Sequence, residues 1–590
     1  MHLSSKAEMI LPVTPSVLRR RRLGFASVTL LTWAGFLFLL ARALGPSWLT
    51  AVLVACAAVF LPWSVLGLWN GVIGLALLRH RPPPCPGGPV TLRTAIVMTL
   101  RNENPDRAVA RLRIIADSLR AAAVDGFAFF LLSDTDIPRI AMREAAAVAA
   151  WRLASCHPER IHYRRRTRNT GFKAGNIMDF CRTQAAGFDL MLPLDADSLM
   201  SGPAILHLVR LMQSHPRIGI IQGLVTGLPA TSAFTRIFQF GMRAGMRSYT
   251  LGQAWWTGDC GPFWGHNAII RIAPFRDHCA LPILPGRPPL GGTILSHDQV
   301  EAALMRRAGW EVRLQPVAGG SYEDNPPTLI DYVRRDLRWC HGNLQYLRLL
   351  ALPGLYPVSR FQLVWAVLMF IGLPAWTVMI ALLPAAGAVI SPPHPGWLAV
   401  LYALFLLMDV AAKLAGYLHS AVAPRRVARY GGRTRFLAGA AVEIVFAWLK
   451  SSITAFRATI FILALMTGHA TAWTAQQRDA RTVSWREAAR MFWPETAFGA
   501  VFHAALWLAA PHLVPWALPF TTGYVLAIPF AVTTAHPALG RWCTRLGLCA
   551  IPEEIRPPAE IVAVTAEQPP HGAPHPDVSA PQPRTQSSCL

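Results

Sequence analysis

Long unbroken apolar runs and short apolar bursts divide this chain into contrasting regions. Residues 24–44 and 49–78 are two apolar runs of spanning length, almost back to back, and predict an uncleaved helical hairpin. From 91 to 356 the pattern changes. Brief apolar stretches (95–99, 127–132, 190–194) alternate with amphipathic ones such as 105–123. That rhythm predicts a soluble α/β domain with a mainly parallel sheet, long enough to bury a full core. Apolar runs return at 361–390 and 397–418, both read as spans. Residues 436–466 carry Glu443, Lys450 and Arg457 within an apolar stretch, which favours an interfacial or re-entrant element. The last apolar region, 498–534, is interrupted by Pro511, Pro515 and Pro519 and predicts a tight hairpin. Residues 551–590 are Pro-rich without periodicity and read as disordered.

Composition agrees with a membrane protein. Of 590 residues, 53% are hydrophobic and only 15% charged, so one ordinary soluble globule is excluded. The net charge of +24 fits nucleic-acid binding, anionic substrates or a cytoplasmic excess of Lys and Arg. The apolar runs favour the third, because Arg19 to Arg22, the segment 79–89 and the loops 419–435 and 471–491 are all basic. The organisation expected is therefore a cytoplasmic N-terminus (1–23), a transmembrane hairpin (24–78), a cytosolic domain (79–356), two spans (357–419), cytoplasmic loops with the ambiguous element (420–497), a second hairpin (498–535) and a largely disordered cytoplasmic tail (536–590). The total is six spans, or eight if 436–466 crosses twice. The ten cysteines include no CxxC pair, which excludes a zinc cluster or a small disulfide framework.

The chemistry concentrates in the middle region. "LDADS" ends an apolar run with Asp195 and Asp197, whose side chains at i and i+2 share a direction on a strand. Neighbouring carboxylates repel, and a hard cation such as Mg²⁺ relieves this while also taking phosphate oxygens. Two other runs end in acids, "VMTLRNEN" with Glu103 and "LLSDTD" with Asp134. Three acid-tipped runs suit the carboxyl edge of an open sheet, where ligands sit. "TGFKAGN" sets Lys173 between glycines, suited to a phosphate. "ILSHDQVE" places Asp298 at a helix start with Ser296 as its expected cap. "RRDLRWCHGN" offers Arg338 for a diphosphate and Trp339 as a flat face for a sugar. His266 and Asn267, in "WGHNAIIR", join Trp339 on the acceptor side, although a lone histidine there is commonly structural.

In order, Asp134, Lys173, Asp195-Ala-Asp197, Asp298 and Arg338-Trp339 resemble the D, DxD, D, QxxRW signature of membrane-integrated family 2 glycosyltransferases. "FKAGNIMDFCR", "LDADSLMSG", "WGHNAIIR", "GSYEDNPP", "RRDLRWCHGNLQ" and "QQRDARTVSWREAAR" resemble the glucans biosynthesis glucosyltransferase H family more closely. That resemblance implies a multi-pass α-helical membrane protein of the bacterial inner membrane with an inserted cytosolic α/β GT-A glycosyltransferase domain. It implies UDP-glucose as donor and a β-1,2-glucan, the backbone of osmoregulated periplasmic glucans, as the exported product. Position by position, Glu103 and Asp134 would contact uridine, Lys173 and Arg338 the diphosphate, and Trp339 the acceptor end. Asp195 and Asp197 would hold the ribose and a Mg²⁺ (or Mn²⁺) ion, and Asp298 would be the general base. Acyl carrier protein is a family-associated partner. Arg335 stands where the wider superfamily has Gln, and the segment before the first apolar run is shorter than the family usually carries.

A single general base without a nucleophile partner fits an inverting displacement. The competing expectations are a related synthase of a β-1,4-glucan or amino-sugar polymer, and a transporter with a basic ligand-binding domain. A transporter predicts charges buried in the spans, and the firm spans are almost free of them; Asp409 and Lys413 are the exceptions, four apart and able to pair on one helix face. Nucleic acid is disfavoured, since the cations are not interleaved with aromatics in a recognisable module.

Overall fold

The computed structural model describes residues 13–80, 86–468 and 478–567. Two long helices open it, α1 (Pro15–Leu44) and α2 (Trp48–Leu77). The middle region then lays down ten strands: β1 (Thr94–Leu100), β2 (Phe127–Ser133), β3 (Ile161–Arg165), β4 (Leu190–Asp195), β5 (Leu199–Met200), β6 (Ile218–Gly223), β7 (Thr226–Gly227), β8 (Ala268–Arg271), β9 (Glu311–Gln315) and β10 (Ser321–Glu323). Its helices are α3 (Pro105–Ala121), α4 (Pro138–Ala154), α5 (Phe172–Thr183), α6 (Gly202–Ser214), α7 (Ala233–Thr257), α8 (Ile272–His278), α9 (Asp298–Arg307) and α10 (Leu329–Leu344). The remainder is helical: α11 (Pro357–Val389), α12 (Pro395–Ala421), the short α13 (Pro424–Val427), α14 (Arg433–Met466), α15 (Trp485–Ala509), α16 (Val514–Val525), α17 (Ala527–Ala535), α18 (Pro537–Leu546), α19 (Pro552–Ile555) and α20 (Ala559–Glu567).

Seven strands form one sheet in the order β3-β2-β1-β4-β8-β6-β9. All pair in parallel except β8, which runs against both β4 and β6. The register sets the site. Leu100 lies opposite Ser133, and Thr99 opposite Asp195, so the chain leaves β1, β2 and β4 at one level. Alternation along each strand feeds two cores. Ala95 and Val97 join Phe180 and helix α9 on one face, while Ile96 and Met98 join Leu112 and Ile205 on the other. Each such fully buried side chain stabilises by about 1.5–3 kcal/mol. The first of these cores continues into α11 through Leu363, Val367 and Phe370, so the α/β domain and the long helices share packed interior.

Helix α7 is the domain's cradle on the long helices. A methyl on Gly74 of α2 would lie 1.7 Å from the Ser248 carbonyl, and one on Gly252 would lie 2.0 Å from that of Asn70. Only glycine admits this approach, as in packed membrane helices. Arg22 near the start of α1 reaches Asp259 at 2.5 Å and the Thr257 carbonyl at 2.6 Å. The basic start of α1 is thereby fastened to the α/β domain.

Among the described residues, five helices (α1, α2, α11, α12 and α14) are long and apolar enough to cross a membrane. A sixth is added if the pair Pro511–Val525 and Ala527–Ala535, bent by 63°, counts as one. The stretch expected to be an interfacial or re-entrant element is one continuous helix, α14, without the break a re-entrant loop needs. Its charges are matched from other helices: Glu443 takes Lys413 and the Tyr417 hydroxyl (2.6 Å), and Arg457 takes Glu495 at 2.6 Å. Lys413 thus pairs with Glu443 and not with Asp409, as the sequence spacing had suggested. The helix that opens the final apolar region, α15, begins at Trp485, ahead of residue 498.

The tail requires a correction as far as residue 567. Instead of disorder, α18, α19 and α20 fold back on the domain. Glu553 meets Arg243 at 2.8 Å, Glu554 meets Arg236 at 2.7 Å, and Ile561 and Val564 are buried beside α3. Residues 568–590 of the expected tail, 1–12 and 81–85 lie outside the described residues.

Candidate active site

The carboxyl edge of the sheet gathers the acids that the apolar runs ended on. Asp195 closes β4, Asp197 follows in the next turn, Asp134 follows β2, and Glu103 sits in the loop after β1. The two outer loops are laced together: the Asn102 amide donates to Thr135 Oγ1 at 2.9 Å and its side chain donates to Asp136 at 2.5 Å. Asn102, Phe172 and Asn267 all have left-handed backbone, with φ of 58°, 53° and 50°. Each adjoins a site residue (Glu103, Lys173, His266), which is where strained backbone collects in functional loops.

Every acid at this edge has a cation. Lys173, in the first turn of α5, forms an ion pair with Asp195. Gly171 (φ +71°) starts that helix, and a methyl on Gly175 would strike the Thr170 carbonyl at 2.0 Å. These glycines serve the tight turn that aims Lys173. Burial opposes ionisation of Asp195, but Lys173, His266 and Arg478 outweigh it and hold the carboxyl well below the usual range. Arg166 grips Asp134 with two bonds of 2.7 and 2.8 Å. Arg478, from the segment between α14 and α15, bridges Glu103 at 3.0 Å and Asp197 at 2.9 Å. Burial pushes Glu103 up to about 7, with Arg478 pulling it down and Asp197 and Asp195 adding to the rise.

The second half of the site comes from α9 and α10. Asp298 is the first residue of α9, and His297, not Ser296, occupies the cap position. Tyr346 Oη donates to the Ser296 carbonyl at 3.0 Å and lies 3.5 Å from the Asp298 carboxylate, and a methyl on Gly265 would lie 3.5 Å from the Asp298 Cβ. Beneath it His297 Nδ1 lies 2.8 Å from Glu301. Burial raises the Glu301 carboxyl, and Lys173 and Asp298 both act on it, which places the α5 and α9 starts in one electrostatic neighbourhood. On α10, Arg335 lies over Trp339 at 4.6 Å and Tyr332 at 5.3 Å. Trp339 remains 48% exposed, free to offer a ring face. Burial lowers the Arg338 guanidinium, with Arg335 and Arg478 adding to this and Glu103 opposing it. Arg338 therefore faces the same acid–cation cluster.

His266 and Asn267 divide. His266 lies 3.4 Å from Glu323 and 3.4 Å from Ser198 Oγ, beside the aspartates. Asn267 is fully buried, and its amide donates to Ser321 Oγ at 3.0 Å and the Tyr322 carbonyl at 3.3 Å. It ties the entry of β8 to β10, so its amide is already committed within the fold, whereas the sequence had placed it on the acceptor side.

Arg478 and the His297–Glu301 pair were not singled out from sequence, and Arg166 stood out only as one cation of the stretch 163–168. "QQRDAR" was noticed only as a resemblance, because 375 residues separate Arg478 from Glu103. The i, i+4 spacing of His297 and Glu301 on one helix was the available signal for that pair.

Among the described residues no three His, Cys, Asp or Glu side chains converge on a metal-sized space. A hard cation bound with a diphosphate needs only one or two carboxylates. Asp195 and Asp197, each with a cation against it in this structure, fit that donor set.

Comparison with known proteins decides the family. Residues 190–411 match the model of glycosyl transferase family group 2. The glucans biosynthesis glucosyltransferase H of Caulobacter vibrioides is 36% identical over 545 residues, covering 87% of this chain and 81% of that one. The chain belongs to the glucans biosynthesis glucosyltransferase H family. Family members from Ralstonia nicotianae and Vibrio cholerae are each 36% identical, over 63% and 74% of their lengths. Being of the glucosyltransferase H family, the protein is a glycosyltransferase. Among solved structures, the mannosyltransferase PcManGT from Pyrobaculum calidifontis in complex with GDP-Man and Mn²⁺ aligns at 16% identity and a TM-score of 0.41, covering 63% of this chain and 98% of that one.

Proposed function

We propose that this protein is a processive, inverting glucosyltransferase of the bacterial inner membrane, with its catalytic domain in the cytoplasm. UDP-glucose is its donor, and its product is the linear β-1,2-glucan backbone of osmoregulated periplasmic glucans, exported through its own helices. The observation that carries the reading is the acid-and-cation cluster at the edge of β1, β2 and β4, with Asp298 set beside it on α9.

In this reading Asp298 accepts the proton of the acceptor hydroxyl that attacks the anomeric carbon. The Tyr346 hydroxyl, bonded to the Ser296 carbonyl, braces the start of α9 beside this carboxylate, and the His297–Glu301 pair supports the turn below. Lys173 and Arg338 meet the diphosphate, Glu103 and Asp134 the uridine, and Trp339 and His266 the acceptor. Asp195 and Asp197 would hold a Mg²⁺ or Mn²⁺ ion, which when bound supplies positive charge against the departing UDP. Arg478 gives up at least one of its two acids when donor enters.

Export is supported by a cavity of about 120 Å³ among α2, α11, α12, α14 and α16. Trp63, Trp376, Trp448 and Phe405 line it together with Asp409. Aromatic faces suit sugar rings, and an acid at that depth marks a polar path. The test of the reading is incorporation of labelled glucose by purified protein: a β-1,2-linked polymer supports it, and a different linkage or a different preferred UDP-sugar overturns it.

A further inference from the structure

A groove of about 330 Å³ opens where the first turns of α15 meet α10, away from the donor cluster. Ile330 and Met491 give it an apolar side, while Arg334, Arg486 and Arg490 give it three cations. Arg486 and Arg490 are four apart and share one face of α15. The acids nearby are already taken. Glu487 is paired with Arg481 at 2.9 Å, and Asp331 accepts from Thr328 at 2.6 Å and from Arg481 at 3.3 Å. Arg334 comes no closer than 3.8 Å to Asp331, and Arg486 and Arg490 make no ion pair among the described residues. Arg486 and Arg490, with Arg334 held only at 3.8 Å by Asp331, leave the groove cationic although Glu487 also lines it, and their planar forks fit phosphate oxygens.

The position of the groove says which anion. Beyond residue 497, α15 exposes Val501 (70%), Trp507 and Leu508, side chains that belong in lipid. Before it, Trp485 and Trp493 are also exposed, on the turns that carry the arginines. Indoles beside arginines at the end of an apolar helix mark the headgroup level. The groove shares α10 with Arg335 and Trp339, so it opens on the leaflet beside the catalytic domain.

We propose that this groove binds the phosphate headgroup of an anionic phospholipid. The bound headgroup would neutralise the three arginines and fasten α10 to α15. Both elements lead to the donor cluster, α10 through Arg338 and the segment 478–484 through Arg478. Headgroup binding stands by itself, whereas any effect on turnover rests on the proposed glucosyl transfer.

The experiment uses the full-length protein in nanodiscs of phosphatidylcholine with graded phosphatidylglycerol, one fraction of it spin-labelled. Saturable binding of labelled phosphatidylglycerol is expected, weakened roughly 10-fold or more in R486A/R490A and only partly restored in R486K/R490K, which keeps the charge but loses the planar fork. Glucose incorporation is expected to rise with phosphatidylglycerol in the wild type and not in R486A/R490A. Equal binding by wild type and R486A/R490A would overturn the proposal. So would displacement of the lipid by millimolar inorganic phosphate, or binding of an acidic carrier protein to the groove in place of lipid. If lipid binds as expected but no preparation incorporates glucose, the headgroup site stands and the proposed function fails.

Discussion

Arg478 holds Glu103 and Asp197 together from a segment 375 residues away in sequence. In the proposed reaction it stands against the acids that a divalent cation would need. Arg478→Ala is therefore expected to lower the Mg²⁺ concentration for half-maximal activity about 10-fold, the worth of one charged hydrogen bond; an unchanged requirement would separate Arg478 from the metal site. Asp298→Asn should reduce kcat by about 10²–10⁴-fold with little change in KM for UDP-glucose, in keeping with loss of a general base. Wild-type turnover by this variant would remove Asp298 from the reaction. Asn267→Ala should cost about 1–3 kcal/mol of stability, measured by denaturant unfolding, because Ser321 and the Tyr322 carbonyl lose their donor. At this scale the acids were legible, since an apolar run ending in a carboxylate is a local pattern. Their partners were not, because Arg166 and Arg478 are set by the fold and lie among many other arginines.

The strand and helix rhythm of the middle region was legible, because alternation and run length report directly on burial. The helix α14 was harder to read. Glu443 and Arg457 read as unmatched charges only while their partners on α12 and α15 were unknown. The tail shows the same limitation. Pro-rich sequence and weak periodicity suggested disorder, yet Glu553 is held by Arg243, with both side chains buried. Glu553→Ala should destabilise by about 3 kcal/mol, because it leaves a buried guanidinium unpaired. A thermal midpoint in detergent equal to that of the wild type would show that α19 does not brace α7.

Across the whole molecule, a glycosyltransferase sheet is packed onto long apolar helices through α7 and α11. Its active edge is fastened by a segment that emerges between two of those helices. Arg22 fixes one end of the α1–α2 pair to the catalytic domain, and the turn between the two helices lies a full helix length away. Pro46→Cys in that turn should react with a membrane-impermeant thiol reagent added outside intact cells; labelling only after lysis would invert the topology. The central claim is that this sheet, these acids and these helices together polymerise glucose. Its most direct test is to incubate the purified protein in nanodiscs with Mg²⁺ and individual labelled UDP-sugars, then determine the linkage of any polymer formed. The account predicts incorporation from UDP-glucose into β-1,2-linked chains, abolished by EDTA and restored by Mg²⁺. Full activity in EDTA, or a polymer made from another sugar or with another linkage, would contradict it.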